Sequence, residues 1–126
     1  MMDTDTLLFF DQHSAALPIY ENFEKRLYQL FPETLKRVQK TQITFSNKHV
    51  FACVSFLRVR KKADLPDPYF VITLGLPYPL DSQRAAAKVE PYPGRWTTHI
   101  VIGDAAEVDD ELFSWVQQAY HFSAVK

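Results

Sequence analysis

The run Val50-Phe51-Ala52-Cys53-Val54-Ser55-Phe56-Leu57 is largely apolar in both of its alternating registers, and this restricts the fold more than any other stretch. A strand sends successive side chains to opposite faces, so Val50, Ala52, Val54 and Phe56 point one way and Phe51, Cys53, Ser55 and Leu57 the other. β-branched and aromatic residues fill the run, as a pleated and buried surface favours. A strand with two apolar faces belongs inside a sheet, with neighbours on both edges. The alternation is predicted to continue to Val59 and to leave the core at Arg58-Val59-Arg60-Lys61-Lys62.

The neighbours are visible on either side. Ile43 and Phe45 alternate with Thr44 and Ser46, and Asn47-Lys48 supplies a turn before the central run. Tyr69 to Leu76 lies between Pro68 and Pro77 and has a second strong strand signal. The link from Arg60 to Pro68 is only about nine residues, too short for a parallel crossover, so the pair is predicted to be antiparallel. Trp96 to Ile102 reads as a further strand ended by Gly103-Asp104, and Ala86 to Glu90 as a short edge strand. Residues 33–40 fit a helical turn that leads into a strand.

Outside this central block the period changes. Tyr20, Phe23, Leu27, Leu30 and Phe31 recur at three- and four-residue spacings, and Pro18 suits a first helical turn, so a helix is predicted over 16–31, ended by Pro32. Leu112, Trp115, Val116, Ala119 and Phe122 form a second such stripe, with Asp109, Asp110 and Glu111 at its start, where acids favour exposed N–H groups. The expected fold is α+β: an antiparallel sheet of four to five strands over about 41–102, flanked by N-terminal and C-terminal helices. Both helices can share one face of the sheet, leaving the other open or covered by a second copy in a homodimer. At 126 residues this is a single domain, 1–126, with 1–13 as a candidate flexible tail.

A hydrophobic fraction of 47% excludes wholesale disorder. The single cysteine cannot form an internal disulfide, and among the alternating apolar residues it reads as a small buried hydrophobe. The N-terminus is acidic where a secretory signal would be basic, and no apolar run approaches the roughly 20 residues that span a bilayer. A cytoplasmic protein without membrane insertion is the expectation.

Charge is unevenly distributed. Residues 1–24 hold five acids and no Lys or Arg; residues 25–62 hold ten bases and one acid; residues 63–126 hold nine acids and four bases. These blocks either neutralise one another or leave a basic surface. On an extended strand end Arg58, Arg60 and Lys62 would share one side, well suited to a phosphate or carboxylate. Lys36, Arg37 and Lys40 would extend the patch, and a nucleic acid would bind it through salt-sensitive phosphate contacts. Arg84, Lys88, Glu90, Tyr92, Arg95, Trp96 and His99 form a second set on a proline-stiffened frame, with Arg84, Arg95 and Trp96 as candidates for an anionic or planar ligand. His49 and His99 would approach across the sheet if the strands pair as expected, with Glu90 completing a proton-transfer or metal site. His13 and His121 have weaker claims. No nucleotide loop, metal-binding helix or nucleophile elbow is present, and neither a cofactor nor a metal site is expected.

The segment Lys40-Thr-Gln-Ile-Thr-Phe-Ser-Asn-Lys-His-Val-Phe-Ala-Cys-Val-Ser-Phe, with Phe70-Val-Ile-Thr-Leu-Gly-Leu and Tyr92-Pro-Gly-Arg-Trp-Thr-Thr-His-Ile, resembles a small bacterial domain family of unknown function, over about residues 20–122. Members occur alone or at the C-terminal end of longer chains, some labelled predicted transport proteins. The resemblance implies a compact α+β domain and brings no activity, cofactor or catalytic residue with it. The expected role is therefore a non-enzymatic domain that binds a protein partner or a small anionic ligand. The alternatives are a small enzyme using His49 or His99 with Arg84, Arg95 or Glu90, and a nucleic-acid-binding accessory domain using the basic 58–62 segment.

Overall fold

The computed structural model describes residues 3–125. Six antiparallel strands form one sheet: β1 (Leu35–Val38), β2 (Gln42–Ser46), β3 (Val50–Ser55), β4 (Phe70–Leu76), β5 (Ala85–Tyr92) and β6 (Arg95–Ile102), in the order β1-β2-β3-β4-β6-β5. Helices α1 (Thr4–Phe9) and α2 (Leu17–Leu30) precede the sheet and α3 (Asp110–Val125) follows it. The α+β architecture with an antiparallel sheet between terminal helices is thus the one the apolar periods indicate. The sheet exceeds the expected four to five strands because Leu35–Val38 pairs with β2 as an edge strand instead of starting as a helical turn.

Register explains which side chains share a face. Ile43, Val54, Ile72 and Ile100 lie in one row across four strands and are fully buried. Phe45, Ala52, Leu74, Phe70 and Ile102 belong to the same face. Tyr20, Phe23 and Leu27 of α2 and Leu112, Phe113, Val116 and Ala119 of α3 complete this core. Phe23 packs on both Phe45 and Phe113, which joins the two helices over the sheet. Leu30, expected in the α2 stripe, is instead exposed at the last helical turn, while Phe31 stacks on Tyr120. The opposite face carries Thr44, Cys53, Thr73, His99 and Ala87 in one row, small or polar residues rather than an apolar patch.

Phe51 departs from the expected alternation. Phe45 opposes Ala52 but Ser46 opposes Val50, so β3 holds one extra residue, a β-bulge. The bulge turns Phe51 onto the helix side, where it is buried against Tyr120. Val50, expected inside, is exposed. The central strand also ends earlier than expected, at Ser55 instead of Val59.

The first 13 residues are not a loose tail from Asp3 onward. Asp3 caps α1 by accepting a 2.8 Å hydrogen bond from the Thr6 N–H. Asp11–Ala16 forms a 3₁₀ segment, and Phe10 is buried against Tyr20, Phe56 and Phe70. Met1 and Met2, which fall within the expected tail, lie outside the described residues. A buried ion pair fastens this segment to β1. The Lys36 ammonium lies 2.5 Å from Glu24 and 3.4 Å from Asp3, and it donates to the Thr6 hydroxyl. The Tyr20 hydroxyl donates to Glu24 at 3.2 Å. With both Lys36 and Glu24 largely withdrawn from water, removing one charge strands the other.

These contacts set two stability outcomes. Lys36→Met leaves the Glu24 carboxylate buried without its cation and lowers the unfolding free energy by roughly 3 kcal/mol in urea. Adding Glu24→Gln, which keeps an acceptor for Tyr20, recovers most of that loss; no recovery would mean the pair is not the cause. A Cβ on Gly103 would lie 2.4 Å from Cγ of Pro66, whose ring cannot swing aside. Gly103→Ala is therefore expected to cost about 1–3 kcal/mol by overpacking. Wild-type stability in that variant would show that the 58–69 loop yields freely.

Candidate functional site

The chain turns out of the sheet after Ser55, and the segment from Phe56 to Tyr69 builds one wall of a cleft. Phe56 is held between two nearly parallel rings: Phe9 at a centroid distance of 5.2 Å and His13 at 3.7 Å. Tyr69 adds an edge contact to Phe56, and its hydroxyl donates a 3.0 Å hydrogen bond to the Phe56 carbonyl. The N-terminal segment is thereby set against the 58–69 loop. Between them is a cavity of about 510 Å³, lined by residues that include Gln12, His13, Arg58, Lys62, Asp67 and Tyr69.

Arg58 and Lys62 meet here although the segment is not extended. Residues 56–61 have no strand pairing, and Lys62 begins a 3₁₀ turn, Lys62–Asp64, so the expected alternation of Arg58, Arg60 and Lys62 along one strand edge is replaced by a loop. Arg60 leaves the group and donates to the Gln83 carbonyl at 3.4 Å. Among the described residues no hydrogen bond or ion pair holds the Arg58 or Lys62 side chain. The cavity wall thus carries two uncommitted cations against the single carboxylate of Asp67.

A second cavity of about 560 Å³ adjoins the first, since Gln12 and His13 line both. Phe9, Phe56 and Leu57 give it apolar walls, and Lys40, Cys53, Ser55, Thr73 and His99 reach it from the sheet. The His99 Nδ1 lies 2.8 Å from the Thr73 hydroxyl, its partner directly across β4 and β6. Burial holds His99 below the usual histidine value, so the ring is neutral near pH 7. Burial likewise pushes the Cys53 thiol up to about 11, which keeps it protonated and a poor nucleophile. From the sheet the cavity therefore meets a neutral thiol at Cys53 and a neutral imidazole at His99, with the Lys40 side chain beside them.

The remaining sequence candidates lie elsewhere. His49 does not approach His99: His99 faces Thr73, Thr73 faces Cys53, and His49 sits four positions earlier in the chain than Cys53, before the bulge. Its Nδ1 is 3.1 Å from the Ser123 carbonyl, and the Ser123 hydroxyl donates back to the His49 carbonyl at 2.9 Å, fastening the β2–β3 turn to α3. Arg84 is fully engaged within the fold. It contacts Asp109 and Glu111, each at 3.0 Å, donates to the Glu107 carbonyl at 2.7 Å and lies over Trp115. These groups sit at the start of α3, where Asp109 also caps the Leu112 N–H, and together they hold the Asp109 carboxyl below the ordinary range despite its partial burial. Glu90 accepts from the Gly94 N–H at 3.1 Å within the β5–β6 hairpin. Arg95 is exposed opposite Tyr92 in that hairpin, and Trp96 is half-buried opposite Leu76. Neither Arg84, Arg95 nor Glu90 lines the cavity that holds His99. Among the described residues no group of three or more His, Cys, Asp and Glu gathers where it could hold a metal ion.

The basic block is partly neutralised. Arg26 pairs with Asp110 at 2.7 Å and Lys36 with Glu24 and Asp3, linking it to both acidic blocks. His13, the ring that borders both cavities, is the histidine to which sequence reasoning gave a weaker claim. It falls within the candidate tail, and no local pattern marks it as the partner of Phe56. No described helix is long and apolar enough to cross a membrane.

The depressed His99 gives a signed pH dependence. A folded-state value below the unfolded one means that the unfolded chain binds more protons as pH falls below about 6.5, so stability declines with acidification there. His99→Asn should flatten part of that decline in denaturation curves collected between pH 7 and 5. An unchanged pH profile in the variant would remove His99 as its source.

No curated protein and no solved structure matches this chain. A family model, described as domain of unknown function DUF5655, matches residues 8–123. The match takes in all six strands and the 3₁₀ segment bearing His13, so both walls of the cleft fall inside it. The chain belongs to this family of domains of unknown function.

Proposed function

We propose that the chain is a non-enzymatic domain that binds a small anionic ligand in the cavity between the His13 segment and the 58–69 loop. The carrying observation is the contrast among its cations. Arg26, Lys36 and Arg84 are spent on internal carboxylates, whereas Arg58 and Lys62 face one concave space with no internal partner among the described residues. Guanidinium and ammonium groups at the wall of a cavity make short, charge-assisted hydrogen bonds to phosphate or carboxylate. A cavity of this size suits a small molecule.

Three features favour this reading over the others. A polyanion would need a continuous track of cations, and the track is broken where Arg60 turns toward Gln83. The alternative enzyme reading joins His99 to Glu90, Arg84 or Arg95. Among the described residues no carboxylate or arginine lines the cavity that holds His99, where Thr73 is the neighbour at its ring. The outer-face row from Thr44 to Ala87 is small and polar, a poor surface for a second copy to cover, which supports a ligand over a homodimer. The unpaired thiol of Cys53 agrees with a reducing, cytoplasmic setting.

Equilibrium titration with pyrophosphate at low ionic strength tests the reading. Wild-type protein should bind, and Arg58→Ala with Lys62→Ala should weaken binding on the order of tenfold or more. Arg60→Ala should change it little, and Asp67→Asn should strengthen it by removing a like charge. Absent binding, or binding indifferent to Arg58 and Lys62, would overturn the assignment.

A further inference from the structure

The cationic cavity is not isolated. Gln12 and His13 border both it and the second cavity, and the two differ in chemistry. One offers the uncommitted charges of Arg58 and Lys62. The other offers aromatic walls, the neutral groups of Cys53, Thr73 and His99 on the sheet, and the single basic side chain of Lys40. At their junction Phe9, Phe56 and His13 form a column of nearly parallel rings, with interplanar angles of 22° and 16°. His13 is the exposed end of that column, with Phe56 on one side. A stack that ends on an exposed ring is a platform for one more planar group, because stacking tolerates any flat π-surface.

The geometry points to a ligand made of an aromatic or heteroaromatic ring joined by a short arm to a phosphate. The phosphate lies at Arg58 and Lys62, and the ring continues the Phe9–Phe56–His13 stack into the second cavity. This identification rests on the anion-binding reading above and adds the second half of the molecule. The Thr73 hydroxyl occupies the Nδ1 side of His99, and Nε2 has no partner among the described residues. That nitrogen suits a polar edge of the ring, as do Ser55 and Lys40 at the same cavity. Neither cavity alone uses all of these groups, whereas a ring with a phosphate arm spans both.

The test compares three probes on the full chain by calorimetric titration: inorganic phosphate, phenyl phosphate and adenosine 5′-monophosphate. Both aromatic phosphates should bind on the order of tenfold or more tighter than inorganic phosphate. His13→Leu keeps an apolar side chain on Phe56 and removes the flat surface, so the ratio of aromatic-phosphate to inorganic-phosphate affinity should fall toward one in this variant. Arg58→Ala with Lys62→Ala should weaken all three probes. If the aromatic phosphates bind no tighter than inorganic phosphate, or His13→Leu leaves their advantage untouched, the ring site is wrong and the anion site stands. If no probe binds, or binding ignores Arg58 and Lys62, the anion reading fails and takes the ring site with it. Thermal unfolding of each variant, read beside the titrations, separates lost binding from lost fold.

Discussion

Phe56 sits one residue beyond the last paired position of β3, between Phe9 and His13, and the cleft depends on that stack. An aromatic ring that leaves a sheet edge must bury its faces or expose them, and here the chain's own first turns supply both covers. Phe10 continues the contact inward to Tyr20 and Phe70, so the same aromatic cluster is core on one side and cleft wall on the other. Ring–ring contacts of this kind add about 0.5–1.5 kcal/mol each beyond burial. Several of them together hold a short N-terminal helix that could not persist alone.

The second constraint is electrostatic. A chain with 14 basic and 15 acidic side chains has many ways to cancel its charge, and the fold selects particular pairs. Lys36 closes the N-terminal segment onto β1, Arg26 joins α2 to α3, and Arg84 ties the approach to β5 to the first turn of α3. Each of these joins separate elements; Lys36 with Glu24 is largely withdrawn from water, where an ion pair matters most, whereas Asp110 is fully exposed. Arg58 and Lys62 do not join anything. Their position on a loop braced by a sheet is the usual arrangement for recognition, with rigid support below and accessible chemistry above.

What could be read from the sequence came from periodicity. The stripes through Phe23 and Val116 and the alternation through Ile72 and Ile100 report one-dimensional regularities that the folded chain preserves, so the layers and the antiparallel sheet were legible. The bulge at Phe51 was not, because it arises from how Ser46 meets Val50 across a turn, and the residues themselves suit either face. Leu35–Val38 is a similar case: its exposed and half-buried positions give no apolar alternation, and its partner β2 makes it a strand. For the site, Arg58 and Lys62 were visible as part of a basic cluster. Their convergence was not, since an extended strand would have placed Arg60 beside them. His13 lay outside every period and is defined by Phe56, 43 positions away in the sequence.

The distance between His13 and Phe56 also explains why the candidate site is split between a regular and an irregular half. The sheet fixes Cys53, Thr73 and His99 by register, because one-residue slippage would turn the row into the helix-facing core. Nothing comparable fixes Arg58 or Lys62, which depend on the 3₁₀ turn after Lys61 and on Pro66 lying against Gly103. A ligand that touched only the loop half would find its cations on the least constrained part of the fold. One that also reached the sheet half would be oriented by groups whose positions the core determines. The ring at their junction, His13, belongs to neither half, and its stack on Phe56 lets the rigid surface set the geometry of the loop that faces it.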